Sequence, residues 1–254
     1  METRTDLNVW LVRRCINSQA ALRLFCFPYA GGSASAYNAW SSLLPPHVEL
    51  CPVQLPGRDS RLTETPYKRI EPLVEALAIA LLPAFDKPFA FFGHSLGALV
   101  SFELARYLRR QRGPQPMLLL VSGARAPQLP NPEPPIHQLP EKAFVEAISR
   151  FNGTPAEILQ HEELMKLLLP CLRADFEIYE TYQYRLEDPL SMPIAVFGGW
   201  QDGEVAPDQL GPWHDQTLSS CAVHMFPGDH FFLHGFRGQM LQVISRELKS
   251  TVDG

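Results

Sequence analysis

The stretch Phe89-Ala-Phe-Phe-Gly-His-Ser-Leu-Gly97 contains the strongest indication of the fold. Its first four residues are apolar and predict a buried strand, and the apolar periodicity of residues 96–110 predicts a helix directly after it. Ser95 lies at the turn between them, with a glycine two positions away on either side. Gly-x-Ser-x-Gly in this setting is typical of a serine nucleophile presented beside a helix N-terminus, whereas a glycine-rich turn without chemistry is the alternative.

Similar strand and helix patterns alternate on both sides of this turn. The predicted strands are short apolar runs bounded by Pro or Gly, namely Leu22–Phe27, Val48–Val53, Phe89–Phe92, Met117–Val121, Ile194–Phe197 and Ala222–Phe226. The predicted helices are Ile70–Ala84, Leu96–Arg110 and Gly238–Lys249. Uninterrupted apolar strands alternating with helices predict an α/β protein with a mostly parallel central sheet flanked by helices.

The alternation is interrupted between residues 125 and 190. A proline-rich connector, Ala126–Ile136, precedes two helix-like segments, Glu141–Phe151 and His161–Tyr184, with no strand pattern between them. We therefore predict a core formed by residues 1–124 and 191–254 and a helical lid insertion formed by residues 125–190. A peripheral helical layer that never moves is the alternative.

The composition is that of a globular protein. The net charge of −5 does not suggest a nucleic-acid surface, and no run of 18 apolar residues suggests a membrane span. The polar N-terminus does not resemble a signal peptide. The number of cysteines is odd and the sequence contains no C-x-x-C motif. Both observations favour reduced, buried thiols at Cys15, Cys26, Cys51, Cys171 and Cys221. We expect a monomeric cytoplasmic protein that needs no cofactor or metal.

A catalytic serine needs a base that is oriented by an acid, and in an α/β-hydrolase fold these follow in the order Ser, Asp or Glu, His. Asp202 comes after the predicted strand Ile194–Phe197, and His230 comes after Ala222–Phe226. Both lie at the carboxyl ends of strands, as Ser95 does, so we predict a Ser95–His230–Asp202 triad. The competing acids and histidines are Asp208, Asp215, Asp229, His94, His214, His224 and His234.

Two backbone N–H groups are needed to stabilise the oxyanion that forms during acyl transfer. One is expected from Leu96, the residue after the nucleophile. The glycine-rich segment Phe27–Ser33 follows the first strand and suggests Ala30 as the second donor; a simple glycine turn is the alternative.

Five pieces of this sequence together resemble the type II (editing) thioesterases of polyketide and non-ribosomal peptide assembly lines. The matching pieces span much of the chain: Leu24–Ser33, Gln54–Arg61, Lys87–Gly97, Leu172–Asp175 and Phe226–Phe232. The resemblance implies the triad and oxyanion donors given above, helices over the active site, and a substrate carried on the phosphopantetheine arm of an acyl or peptidyl carrier protein. One departure is the bulky Trp200 in the loop that carries Asp202.

The resemblance implies a proofreading hydrolase that frees carrier proteins from stray acyl groups. Release of a finished medium-chain acid, hydrolysis of small oxygen esters, and non-catalytic binding of acyl carriers are the alternatives. Carrier proteins are usually acidic, so a docking patch should be basic. Candidates are Arg58 and Arg61 on a loop, or the cluster Arg106, Arg109, Arg110 and Arg112, which equally suits a helix C-terminus.

Overall fold

The computed structural model describes residues 7–12, 17, 19–151, 153 and 156–253. Its strands are β1 (Leu22–Phe27), β2 (Val48–Pro52), β3 (Phe89–His94), β4 (Leu118–Ser122), β5 (Ile194–Gly199) and β6 (Cys221–Phe226). Its α-helices are α1 (Leu7–Trp10), α2 (Ile70–Leu81), α3 (Leu96–Arg110), α4 (Glu141–Ser149), α5 (Ala156–Leu159), α6 (Glu162–Thr181), α7 (Phe232–Gly235) and α8 (Arg237–Asp253). Short 3₁₀ helices are Ala34–Trp40, Asp59–Arg61, Leu82–Ala84, Pro207–Gln209 and Gly211–Gln216.

The six strands form one parallel sheet in the order β2-β1-β3-β4-β5-β6. The chain moves outward from β1 to β2 and then returns to place β3 on the other side of β1. The strand order therefore reverses between β1 and β3, and in open α/β sheets a ligand crevice lies beyond the carboxyl ends of strands at such a point. The turns that follow β1 and β3 flank this crevice, and they carry Ala30 and Ser95.

Both faces of the sheet are buried, which explains why the strands show no polar alternation. Phe25, Phe91 and Val121 belong to one apolar cluster with the buried faces of α2 and α3. Phe92 and Phe197 belong to a second cluster, which includes the buried face of α8. The predicted α/β architecture, with a mostly parallel sheet between layers of helices, is confirmed.

Helices α4, α5 and α6 lie between β4 and β5 in the chain. They are called the inserted helices below. They have a small apolar cluster of their own, which includes Phe144, Ile148, Met165 and Leu169. This cluster is separate from the two that cover the sheet. The described part of the insertion thus packs partly on itself and partly on the loops beneath it.

The predicted elements match the observed ones to within a few residues, and short elements account for most of what was missed. The 3₁₀ helix Ala34–Trp40 and helices α1 and α5 had no corresponding sequence prediction. Cys26, Cys51 and Cys171 are buried, but Cys221 is only half-buried; Cys15 lies outside the described residues. Within the described ranges, no helix has the length and apolarity to cross a membrane, and no three His, Cys, Asp or Glu side chains are grouped as metal ligands would be.

Candidate active site

Ser95 sits at the abrupt turn from β3 into α3 with φ 53° and ψ −117°. A positive φ is unfavourable for a residue with a side chain and costs on the order of 1–3 kcal/mol. A β-carbon on Gly93 would come within 2.0 Å of the Gly97 carbonyl oxygen, and one on Gly97 within 2.1 Å of the Phe27 carbonyl oxygen. Both neighbouring glycines are therefore required sterically. The Ser95 N–H donates to the Ser122 carbonyl at 2.8 Å, which fixes the strained turn to β4.

Asp202 and His230 are brought together by the turns after β5 and β6. The Nδ1 of His230 lies 2.9 Å from Oδ2 of Asp202. The other carboxylate oxygen of Asp202 accepts the backbone N–H groups of Glu204 and Val205 at 2.8 and 3.1 Å. The Asp202 side chain is 1% exposed. A buried carboxylate with these partners can hold the imidazole in one tautomer, with Nδ1 as the donor and Nε2 free toward the cavity.

Ser95 and His230 line the same cavity but are not hydrogen-bonded to each other in the described part of the chain. Catalytic hydrogen bonds are often long in unliganded enzymes and tighten when substrate binds. The predicted triad members therefore share one site, with the acid–base contact formed and the base–nucleophile contact open.

The two predicted oxyanion donors flank the same cavity. Among the described residues, no hydrogen-bond acceptor faces the backbone N–H of Ala30 or that of Leu96. The N–H of Leu96 is free because it is the first residue of α3, where a helix has no internal acceptor. The N–H groups of the two residues after Ala30 do have acceptors: that of Gly32 donates to the Tyr29 carbonyl and that of Gly31 donates to Asp175.

The cavity has a volume of about 350 Å³, and Ser95 is one of its lining residues. The inserted helices and the connector before them supply apolar wall residues, including Ile136, Ile148 and Phe176. Its polar wall includes Arg125, which donates to the Tyr179 hydroxyl at 2.7 Å. A chamber of this kind can accept a small or medium acyl group next to the serine hydroxyl.

The sequence did not reveal the environment of His94, which lies next to His230. It is fully buried, its Nδ1 lies 2.9 Å from the Ser122 hydroxyl, and its ring centroid is 5.1 Å from that of His230. Burial, reinforced by the nearby His230 and His234, holds the pKa of His94 well below its ordinary value. A neutral ring beside His230 adds no repulsion to the positive charge that a catalytic base acquires.

Several of the competing acids and histidines bind other partners. His224 pairs with Glu247 at 3.0 Å, and His214 pairs with Asp215 on the surface. Asp229 accepts the N–H of Phe231 and so shapes the loop that carries His230. The bulky Trp200, which departed from the family pattern, is 59% exposed, and Asp202 still contacts His230.

The prediction that Arg58 and Arg61 offer a basic docking surface is wrong. Both are 3% exposed: Arg58 pairs with Asp175, and Arg61 pairs with Glu64. Arg106, in the alternative cluster, is also buried. Its guanidinium, with those of Arg109 and Arg110, binds Glu187, so these cations stabilise the end of α3 internally. For Arg58 and for the cluster on α3, the sequence could not reveal this, because Asp175 and Glu187 lie about 80 to 120 positions away; the partner of Arg61 is only three residues away.

Comparison with known proteins gives a consistent result. The family model for the thioesterase domain matches residues 22–248. The chain is 45% identical to LgrE of Brevibacillus parabrevis, named a linear gramicidin dehydrogenase, over 100% of this chain and 97% of that protein. It is 44% identical to the gramicidin S biosynthesis protein GrsT of Aneurinibacillus migulanus, over 96% of each chain. The structure of BorB, a type II thioesterase from the borrelidin biosynthetic cluster, superposes with a TM-score of 0.86 at 33% identity, covering 94% of this chain and 98% of BorB.

Proposed function

Since this chain belongs to the thioesterase domain family, we propose that it hydrolyses acyl groups from the phosphopantetheine arm of carrier proteins through a Ser95–His230–Asp202 triad. The observation that carries the proposal is the shared cavity: the strained Ser95, the paired His230 and two unoccupied N–H groups all face one chamber of acyl size.

The proposed reaction has two steps. His230 Nε2 takes the Ser95 proton as Oγ attacks the thioester carbonyl, and the oxyanion accepts the N–H groups of Ala30 and Leu96. The tetrahedral species collapses, the carbon–sulfur bond breaks, and the leaving thiolate takes the proton from His230. Water, deprotonated by His230, then hydrolyses the acyl-serine to the free acid and restores Ser95. Asp202 orients the ring and stabilises its charge throughout, and no cofactor takes part.

We further propose that residues 125–190 act as a lid and that the physiological role is editing. A covered chamber of about 350 Å³ suits short and medium acyl groups such as those left by mispriming. The relatives GrsT and LgrE bear names from gramicidin biosynthesis, which supports the proposal that the partner is a carrier domain of a synthase in a pathway of that class.

A dehydrogenase activity, which the name of LgrE assigns to that relative, finds no support in these residues. Dinucleotide binding in a doubly wound sheet uses Gly-x-Gly-x-x-Gly after the first strand. Here the turn after β1 reads Pro28-Tyr-Ala-Gly-Gly-Ser33 instead. Assaying thioester-dependent oxidation of reduced nicotinamide dinucleotide alongside hydrolysis would test this second activity directly.

The decisive experiment compares the wild type with Ser95→Ala on acyl-carrier protein, acyl-CoA and p-nitrophenyl ester substrates. We expect the serine variant to lose hydrolysis by about 10³-fold or more, since removal of a triad nucleophile removes the covalent route. The wild type should prefer the carrier-bound thioester. A variant as active as the wild type would refute the triad, and preference for the oxygen ester would refute the thioesterase assignment. A narrow preference for one medium-chain acyl group would favour product release over editing.

A further inference from the structure

We propose that Asp175, on α6, is a positioning residue that holds the oxyanion loop, defined here as residues 29–32, in its active shape. The inference rests on the proposed function, because it assigns a structural cause to the position of the Ala30 donor. Asp175 does not touch the substrate; it acts through the backbone of the loop.

The contacts of Asp175 join three distant segments. Its Oδ2 accepts the backbone N–H of Gly31 at 2.7 Å. Arg58 binds both carboxylate oxygens in a parallel fork, each at 2.8 Å, and also donates to the Gly32 carbonyl at 3.1 Å. Asp175 is 1% exposed and Arg58 is 3% exposed. Charge-assisted, two-point contacts in a buried setting fix geometry more strongly than neutral hydrogen bonds do.

The shape of the loop explains why it needs an external partner. Gly31 adopts φ 72°, in the left-handed region, and the N–H of Gly32 closes a tight turn on the Tyr29 carbonyl at 2.8 Å. In this turn the N–H of Gly31 has no acceptor within the loop, so Asp175 supplies one. The Gly31 N–H and the Gly32 carbonyl are both held by these contacts. They therefore restrict the orientation of the preceding peptide group, which bears the Ala30 N–H.

Helix α6 also packs directly on the loop one turn before Asp175. A β-carbon on Gly31 would come within 2.4 Å of a Leu172 methyl carbon, so the helix and the loop are in close contact. The inserted helices therefore do more than enclose the chamber. An opening motion that preserves the oxyanion loop must leave the C-terminal half of α6 in place and occur in α4 and α5.

A second buried ion pair gives the matched control. Arg23 and Glu49 pair at 2.8 Å, with side chains 9% and 1% exposed, and join β1 to β2 near the amino ends of these strands. This pair also joins an arginine to a buried carboxylate, although Arg23 binds one oxygen of Glu49 and also binds Asp86. It lies at the opposite end of β1 from the oxyanion loop. Glu49→Gln should therefore lower stability without changing catalysis.

The test uses two double variants of the full chain, one with and one without a side-chain acceptor for the Gly31 N–H at position 175. Arg58→Met with Asp175→Leu replaces the ion pair by apolar side chains of similar size, which buried pairs often tolerate. Arg58→Met with Asp175→Asn restores an oxygen without restoring the charge. Each is assayed with an acyl N-acetylcysteamine thioester, a short mimic of the carrier arm.

We expect the leucine variant to lose about 100-fold in kcat with KM within about threefold of the wild type, as when one oxyanion donor is removed. The kcat of the asparagine variant should be about tenfold higher than that of the leucine variant. A trifluoromethyl ketone, which forms a hemiketal with the serine, should bind the leucine variant about 100-fold more weakly. A thioether analogue that cannot react should bind it as it binds the wild type.

Equal kcat values in the two double variants, or a leucine variant within threefold of the wild type, would overturn the inference. Asp175→Asn alone is the milder second variant if the double variants fail to fold: about a tenfold loss in kcat is expected, and a loss under twofold would be contrary. The Ser95→Ala comparison separates the two levels of failure. If wild-type activity does not depend on Ser95, the proposed function fails; if it does and the Asp175 variants are unaffected, only this inference fails.

Discussion

The catalytic edge of the sheet, formed by the turns after β1, β3, β5 and β6, and the inserted helices above it are held in place by different kinds of contact. At the edge, the elbow around Ser95 is held by backbone contacts: Gly93 and Gly97 leave no room for a β-carbon, and the Ser95 N–H donates to the Ser122 carbonyl of β4. The insertion relies on side chains, such as the cluster around Phe144 and the Glu180 carboxylate that accepts the N–H groups of Ile136 and His137.

This difference has a functional meaning. Chemistry requires atoms placed to within fractions of an ångström, which backbone contacts achieve because few alternative arrangements exist. An acyl chamber requires only a suitable volume, which side-chain packing can adjust by substitution. Asp175 links the two regions, since it is a side chain of the insertion that binds the backbone of the catalytic edge.

The largest effect that separates the two regions should come from Asp202→Asn. An amide at this position favours the wrong imidazole tautomer, and the corresponding change in a serine protease lowers kcat about 10⁴-fold. We expect a loss of that order here at neutral pH, with thermal stability close to that of the wild type, measured by thioester hydrolysis and calorimetry. Asp208→Asn, at an exposed acid on the same connection, should be fully active. A loss below tenfold for Asp202→Asn would contradict the assignment of the acid.

The contrast in packing can be tested with one glycine from each region. A β-carbon on Gly97 would meet backbone atoms of Phe27 and Pro28, whereas one on Gly153 would meet the edge of the Phe231 ring at 2.7 Å. Gly97→Ala should lower the free energy of unfolding by about 3 kcal/mol, because backbone cannot yield. Gly153→Ala should lower it by less than about 1 kcal/mol, because a ring can rotate away. Urea denaturation measures both, and similar losses would remove the proposed distinction.

The smallest effect is a pH dependence of stability that arises at the catalytic edge. The pKa of His94 lies well below its ordinary value because the ring is buried, so the folded protein keeps it neutral. Above about pH 6.5 the unfolded chain is neutral there as well, and the stability is fully present. As pH falls below that value, the unfolded chain binds a proton that the native state cannot.

The free energy of unfolding should therefore fall by at most about 1.4 kcal/mol per pH unit from this site below pH 6.5. His94→Gln, which can still bond to Ser122 but cannot be protonated, should show a flatter profile. His214→Gln, at an exposed histidine, should keep the wild-type profile. Denaturant midpoints at pH 7.5, 6.5 and 5.5 on the three proteins give the comparison, and identical slopes would contradict it.

The sheet and the elbow could be predicted from the sequence because both depend on local patterns. Each strand is an apolar run with Pro or Gly nearby, and the position of Ser95 follows from its immediate neighbours. Asp202 and His230 could be placed at the same edge because parallel strands share a direction, so position after a strand implies position in space.

What could not be predicted depends on long-range pairing. Arg58 has the appearance of a surface arginine on a loop, and only its partner 117 residues later shows that it is buried. The environment of His94 is similarly nonlocal, since it depends on Ser122 and on the loop carrying His230. Helix α5 was missed because four residues are too few to establish a periodicity.

The contact between Asp175 and the oxyanion loop limits how the acyl chamber can be re-engineered. A chimera that replaces residues 125–190 with a segment lacking this carboxylate would leave the buried guanidinium of Arg58 without its ion-pair partner. It would also leave the Gly31 N–H without its acceptor. The whole insertion therefore cannot be exchanged without the loss of these contacts. A graft that exchanges α4 and α5 but retains α6 from Cys171 onward would change the chamber wall and keep the catalytic turn intact.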